Sequence, residues 1–217
     1  MKSPTKQTGG QGRTTEFPRL LGGVLCLHFA NTIEGPRSDE PEEFLTSFDD
    51  LVRWGWHARL LERDEADTLL DSARSRPEAA REAFGRALEL RGAIQRVFRA
   101  IARSETPPER DLDHVRREYA QALGAARLAE TPRGYAWSWG HASRELDRPL
   151  WLVAESAARL LTEGDLGRVK ECPGADDCGW LFYDASRNAS RRWCSMEGCG
   201  SRVKMRRHYA RRERAHR

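Results

Sequence analysis

The sequence predicts an α+β fold: a predominantly helical N-terminal domain with a small antiparallel sheet, then a small cysteine-rich module ending in a basic helix. Three observations carry this. Long stretches after residue 39 place apolar side chains at the period of a helix with one buried face. Residues 125–139 instead alternate about the turn Thr131-Pro-Arg-Gly, which is the pattern of a hairpin. Four of the five cysteines lie within residues 172–199, directly ahead of the arginine-dense SRVKMRRHYARRERAHR.

Taken in order, residues 1–17 read as a flexible tail of Gly, Thr, Gln and Ser, without the apolar stretch of a secretory signal. The apolar LLGGVLCLHFANTIE is opened by Gly22-Gly23 and closed by Gly35-Pro36, and is expected to be a strand. Its Cys26 reads as a buried, inert thiol. From Asp39 to Arg63, Phe44, Leu45, Phe48, Leu51, Val52 and Leu60 recur at helical spacing. Residues 64–75 form a short helix with an acidic start. Pro77 opens a long helix to Ala102, whose face runs through Ala80, Phe84, Ala87, Leu88, Arg91, Ile94, Val97, Phe98 and Ile101. Glu105-Thr-Pro-Pro breaks it, and 109–123 is helical again. After the ARLAE–GYAWSW hairpin, Arg148 to Thr162 returns to helix and stops near Gly164.

These elements place an α+β domain at 18–165 and a second unit at 166–217. In the latter, RVKEC and GWLFYDAS are β segments, and Cys199-Gly200 leads into the final helix. Two aromatic groups, Trp54 and Trp56 with His57 and Trp137 and Trp139 with His141, read as core in preference to a ligand wall.

Hydrophobic residues make up 39% of the chain and charged residues 32%, as in a soluble globular protein. No run of about eighteen apolar residues is present, which excludes a transmembrane helix. The expected location is the cytoplasm, where thiols stay reduced and clustered cysteines favour metal over disulfides. The net charge of +4 is unevenly spread. Residues 1–167 carry 24 Lys and Arg against 27 Asp and Glu, a net of −3, whereas residues 200–217 carry eight against one, a net of +7. A localised positive segment on an acidic chain is an electrostatic footprint for nucleic acid.

The spacing C-x5-C, fifteen residues, C-x4-C brings Cys172, Cys178, Cys194 and Cys199 toward one tetrahedral ion. Four thiolates with no open position make a structural zinc site, not a catalytic one. A module this small needs the metal for its folding energy. The formal −2 charge of a zinc tetrathiolate is also favourable at a helix N-terminus. Trp180, Phe182 and Tyr183 are placed to cover it.

The residues Cys178-Gly-Trp-Leu-Phe-Tyr-Asp-Ala-Ser-Arg-Asn, Ser190-Arg-Arg-Trp-Cys-Ser-Met and Cys199-Gly-Ser-Arg resemble the CGNR-type zinc finger. That family is named for Cys-Gly-Asn-Arg at the last ligand. Here Ser201 replaces the asparagine, and the first cysteine loop is one residue longer than the family pattern. LCLHFANTIE is similar to the opening of the ABATE domain found ahead of such fingers. Asn31 and Thr32 agree with that family, and His28 stands where it usually has an acidic residue. The resemblance covers roughly residues 20–210. It implies a stress-induced transcription regulator with a treble-clef or ribbon-like finger that binds DNA behind a ligand-sensing domain.

The residues expected to contact DNA are Arg187, Arg191, Arg192, Arg202, Lys204, Arg206, Arg207 and Arg211, since guanidiniums suit bidentate contacts to phosphates and guanine edges. His28, Asn31 and Thr32 are candidates for a small-molecule pocket. The implied partners are double-stranded DNA, a small-molecule effector and a second copy of the chain, with no membrane. An RNA- or ribosome-binding zinc protein is the alternative, with Trp180, Tyr183 or Trp193 stacking on unpaired bases. No nucleophile–base signature, phosphate loop or HExxH pattern appears, and the histidines at 28, 57, 114, 141, 208 and 216 lack ligand spacing, so no enzyme is expected.

Overall fold

The structure, a computed structural model, describes residues 17–34, 41–139, 144–174 and 178–215. The tail up to residue 16, Gly35-Pro36, His141 and His216 lie outside the described residues, as do the side chains of Arg207 and Arg211. Seven helices and three two-stranded antiparallel sheets are described. They are α1 (Leu25–Ala30), β1 (Ile33–Glu34), β2 (Glu42–Glu43), α2 (Phe48–His57), α3 (Arg63–Ser75), α4 (Pro77–Ala102), α5 (Glu109–Ala125), β3 (Arg127–Thr131), β4 (Gly134–Ser138), α6 (Arg148–Glu163), β5 (Val169–Glu171), β6 (Leu181–Tyr183) and α7 (Ser201–Ala215). The predominantly helical α+β class holds.

The spine is α4. Its buried stripe of Ala87, Leu90, Ala93, Ile94, Val97 and Phe98 follows from apolar residues repeating every three or four positions. Pro77 sits in its first turn, where the missing N–H costs nothing. The helix α3 starts with a capping box in which Glu62 and Glu65 serve each other's backbone. Arg148, at the start of α6, ties Glu65 to that helix at 2.6 Å. Between residues 39 and 63 the helix is shorter than its apolar spacing suggests. Ser47 caps it by accepting from Asp50 N–H, and Arg59 ends it in a left-handed conformation with φ 56°.

The expected strand at LLGGVLCLHFANTIE is instead the helix α1, followed by the two-residue β1. Cys26, Leu27, Phe29 and Ala30 are all buried, so α1 lacks the polar face that would reveal its period. Phe29 packs on the buried Trp54 at 5.0 Å between ring centroids. Trp56 is exposed. Cys26 is fully buried, and burial pushes its thiol up to about 12, as its inert reading requires.

The β3–β4 hairpin pairs Leu128 with Trp137 and Glu130 with Tyr135. Trp139 anchors its base, buried beside Trp151 and donating through Nε1 to the Ala122 carbonyl at 2.7 Å. Leu128, Tyr135 and Trp137, however, stay exposed.

Candidate metal centre and nucleic-acid interface

The second unit is built directly onto the first. The pair β5–β6 places Cys172 just after β5, with its N–H donating to the Trp180 carbonyl at 2.8 Å. The outer edge of β6 is closed from the N-terminal domain: Tyr183 N–H reaches the Gly22 carbonyl at 2.8 Å. Two residues earlier, the Asn31 amide donates to the Leu181 carbonyl (2.8 Å) and accepts from its N–H (3.0 Å). Trp180 Nε1 donates to the Ile33 carbonyl at 2.9 Å. Arg103 holds Glu171 with two hydrogen bonds, and Arg99 lies 3.3 Å from the same carboxylate. Val169 and Leu181 belong to the main core, while Cys172, Trp180, Phe182, Cys194 and Cys199 form a small core of their own.

The four sulfurs of Cys172, Cys178, Cys194 and Cys199 all lie within 4.8 Å of one another. Cys178 to Cys194 is 3.7 Å and Cys194 to Cys199 is 3.6 Å. A tetrahedron with Zn–S bonds near 2.3 Å has sulfur–sulfur edges of about 3.8 Å, so the donor set has both the size and the chemistry for zinc. Cys194 N–H donates to Cys172 Sγ at 3.3 Å. Sulfurs this close cannot all ionise unaided. Hydrogen bonds from Cys178 and Cys194 favour a thiolate at Cys172, and that thiolate in turn raises the pKa of Cys178. A divalent ion removes this conflict by holding all four as thiolates. Gly174 makes the close approach: a Cβ there would stand 2.8 Å from Cys199 Sγ and 3.0 Å from Cys178 Cβ.

The last ligand, Cys199, comes from the turn that starts α7, and Cys194 lies just before that turn. Residues Met196–Gly200 form a π-helical turn, whose start is capped by Ser195 accepting from Gly198 N–H at 3.1 Å. Ser201 donates to the Met196 carbonyl at 3.0 Å, so it fastens the turn at the position that distinguishes this chain from Cys-Gly-Asn-Arg. Beyond it the described side chains of α7 face water: Arg202, Lys204, Met205, Arg206, His208, Tyr209, Ala210 and Arg212 are exposed, and Val203 is half-buried.

Of the other arginines chosen from sequence, Arg187 and Arg192 are exposed, and Arg192 lies over Trp193 at 5.8 Å. Arg191 differs. It donates from Nε to the Trp193 carbonyl (2.9 Å) and from Nη2 to the Leu21 (3.2 Å) and Cys194 carbonyls, with its guanidinium 4.5 Å over Phe182. Its side chain braces the metal centre from within.

His28, Asn31 and Thr32 do not line either cleft described in the domain. Thr32 donates to the Phe29 carbonyl and accepts from Arg91, which also clamps Glu43. His28 Nδ1 accepts from Gly22 N–H at 3.1 Å. Burial, then the charge of His57, pushes His28 down to about 4, which keeps it neutral at pH 7.

One group went unnoticed in the sequence. Asp184 is fully buried and accepts from Lys170 Nζ (2.6 Å), Ser186 N–H and Oγ–H, and Arg191 N–H (2.8 Å). Lys170 also donates to the Ala189 and Arg191 carbonyls. The network shapes the loop that delivers Cys194. The Asp-x-Ser pattern of an Asx turn was its only local signal.

A search of curated proteins finds no match to the chain. Family comparison matches residues 168–212 to the CGNR zinc finger. It matches residues 23–164, more than half of the chain, to ABATE, described as "Putative stress-induced transcription regulator". The protein therefore belongs to the ABATE family and carries a CGNR zinc finger with a four-cysteine structural zinc site.

Proposed function

We propose that this protein is a DNA-binding transcription regulator in which zinc fixes the start of α7 and α7 grips duplex DNA, behind a regulatory N-terminal domain. The observation that carries the reading is α7 itself. It holds seven Lys and Arg in fifteen residues, and its described side chains other than Val203 are exposed. Such a helix repels itself unless a polyanion compensates, and it begins two residues after a ligand of a rigid centre. Arg187 and Arg192 extend the same basic character from the loop before Cys194. Most contacts would go to phosphates and position the protein, with a minority reading base edges.

Fluorescence anisotropy of the zinc-loaded protein on mixed duplex DNA tests this. Affinity is expected to fall with salt with a log–log slope of about −5, as five or six phosphate contacts require. Lys204→Gln with Arg212→Gln should reduce that slope by about 2, and Cys194→Ser should abolish binding. Absence of duplex binding at low salt would sink the reading. Tighter binding to single-stranded RNA than to duplex would move the function to RNA.

A further inference from the structure

A cleft of about 500 Å³ lies between α4 and α5, remote in sequence from the metal centre. Its walls are two helical stripes. From α5 come Arg110, His114 and Arg117, at i, i+4 and i+7, together with Asp111. From α4 come Leu88, Glu89, Gly92 and Arg96. Gly92 stands in a helix interior, where glycine is normally costly. A Cβ there would meet Arg96 Nη1 at 3.1 Å, so the missing side chain opens the floor and lets the Arg96 guanidinium lie against Asp111.

The charges are unbalanced. Arg96 occupies Asp111 with two hydrogen bonds, at 2.8 and 2.9 Å. Arg110, its side chain largely exposed, also lies 3.9 Å from Asp111, so three guanidiniums and an imidazole face two carboxylates, Asp111 and Glu89. Arg117 reaches Asp113 at 3.2 Å, but both side chains are about half exposed, and such pairs are readily exchanged. Most telling is His114 Nε2, which is buried and has no hydrogen-bond partner among the described residues. A buried polar atom in that state calls for a partner from outside the chain.

We propose that this cleft binds a small organic anion, held by Arg110 and Arg117 through its phosphate or carboxylate group and by His114 Nε2 at its middle. Planar guanidiniums offer paired donors to either group, and the volume is that of a metabolite-sized pocket. The site gives a physical location to the regulatory role assigned above to the N-terminal domain, but its test is independent of DNA.

The test is an NMR titration of the zinc-loaded full chain labelled with 15N-histidine, with the His114 signals assigned by His114→Gln. Inorganic phosphate and citrate are added separately, at constant ionic strength set with sodium chloride. At least one should move His114 Nε2 saturably, and which one does so identifies the ligand class. Arg110→Gln with Arg117→Gln should weaken that binding about tenfold or more, with the circular dichroism of the protein unchanged. If neither anion moves His114, the proposal fails. It fails equally if the double variant binds as well as the original, because Arg110 and Arg117 then do not hold the anion.

Discussion

Asn31 spends both ends of its amide on the backbone of Leu181, 150 positions away in the chain. Removing it leaves a buried N–H and a buried carbonyl unpaired. Asn31→Ala is therefore expected to lower stability by about 2–3 kcal/mol in urea unfolding. Asn31→Asp should rescue little, since it sets a carboxylate against the Leu181 carbonyl. Asp184 holds the Cys194 loop in a similar way. Burial alone would raise its pKa, but the Lys170 ammonium, the Ser186 hydroxyl and N–H, and the Arg191 N–H outweigh it and hold the carboxyl well below its usual 3.8. Because the folded pKa lies below the unfolded one, this stabilisation is complete above about pH 4 and drains away as pH falls further. Asp184→Asn should cost about 2–3 kcal/mol at pH 7. It should also flatten the acid limb of a stability-versus-pH curve below pH 4; an unaltered limb would assign that acid sensitivity to other groups.

At the level of elements, the loop from Cys172 to Cys178 depends on the bare Cα of Gly174. Gly174→Ala is expected to lower zinc affinity about tenfold or more in chelator competition, through strain at Cys199 Sγ, while the helical signal of the N-terminal domain persists. How much could be read from sequence varied by element for physical reasons. The helices α4 and α5 were legible because they are long, one-sided and punctuated by Pro77 and by Pro107-Pro108. The four cysteines were legible because ligand chemistry leaves a spacing. By contrast, α1 was misread as a strand because six residues buried on nearly every side carry no periodic signal. Hairpin β3–β4 was legible as a hairpin but not in burial, since alternation does not say whether anything covers the apolar side. Asn31 and Thr32 were singled out as candidates for a small-molecule pocket, but both are buried and serve the backbone and a neighbouring side chain. Their partners, Leu181 and Arg91, are distant in sequence and left no local trace.

Across the whole molecule, the finger is continuous with the helical core. Val169 and Leu181 pack into the same cluster as Leu27, Leu90 and Ile94. Stripping zinc with a chelator should accordingly lower the melting temperature of the helical circular dichroism signal by several degrees, since the metal's binding energy is coupled to folding. A melting curve indifferent to the chelator would mean that the two units unfold separately. The closure of β6 by Gly22 and Asn31 has one more consequence, which concerns portability. Cut away at residue 166, the finger would keep its cysteines and its basic helix but present β6 as a bare edge beside an uncovered Leu181 and Trp180, an invitation to pair with other chains. In this protein the finger is not a cassette that can be moved between hosts; the ABATE domain supplies the Gly22 carbonyl and the Asn31 amide that close the open side of β6.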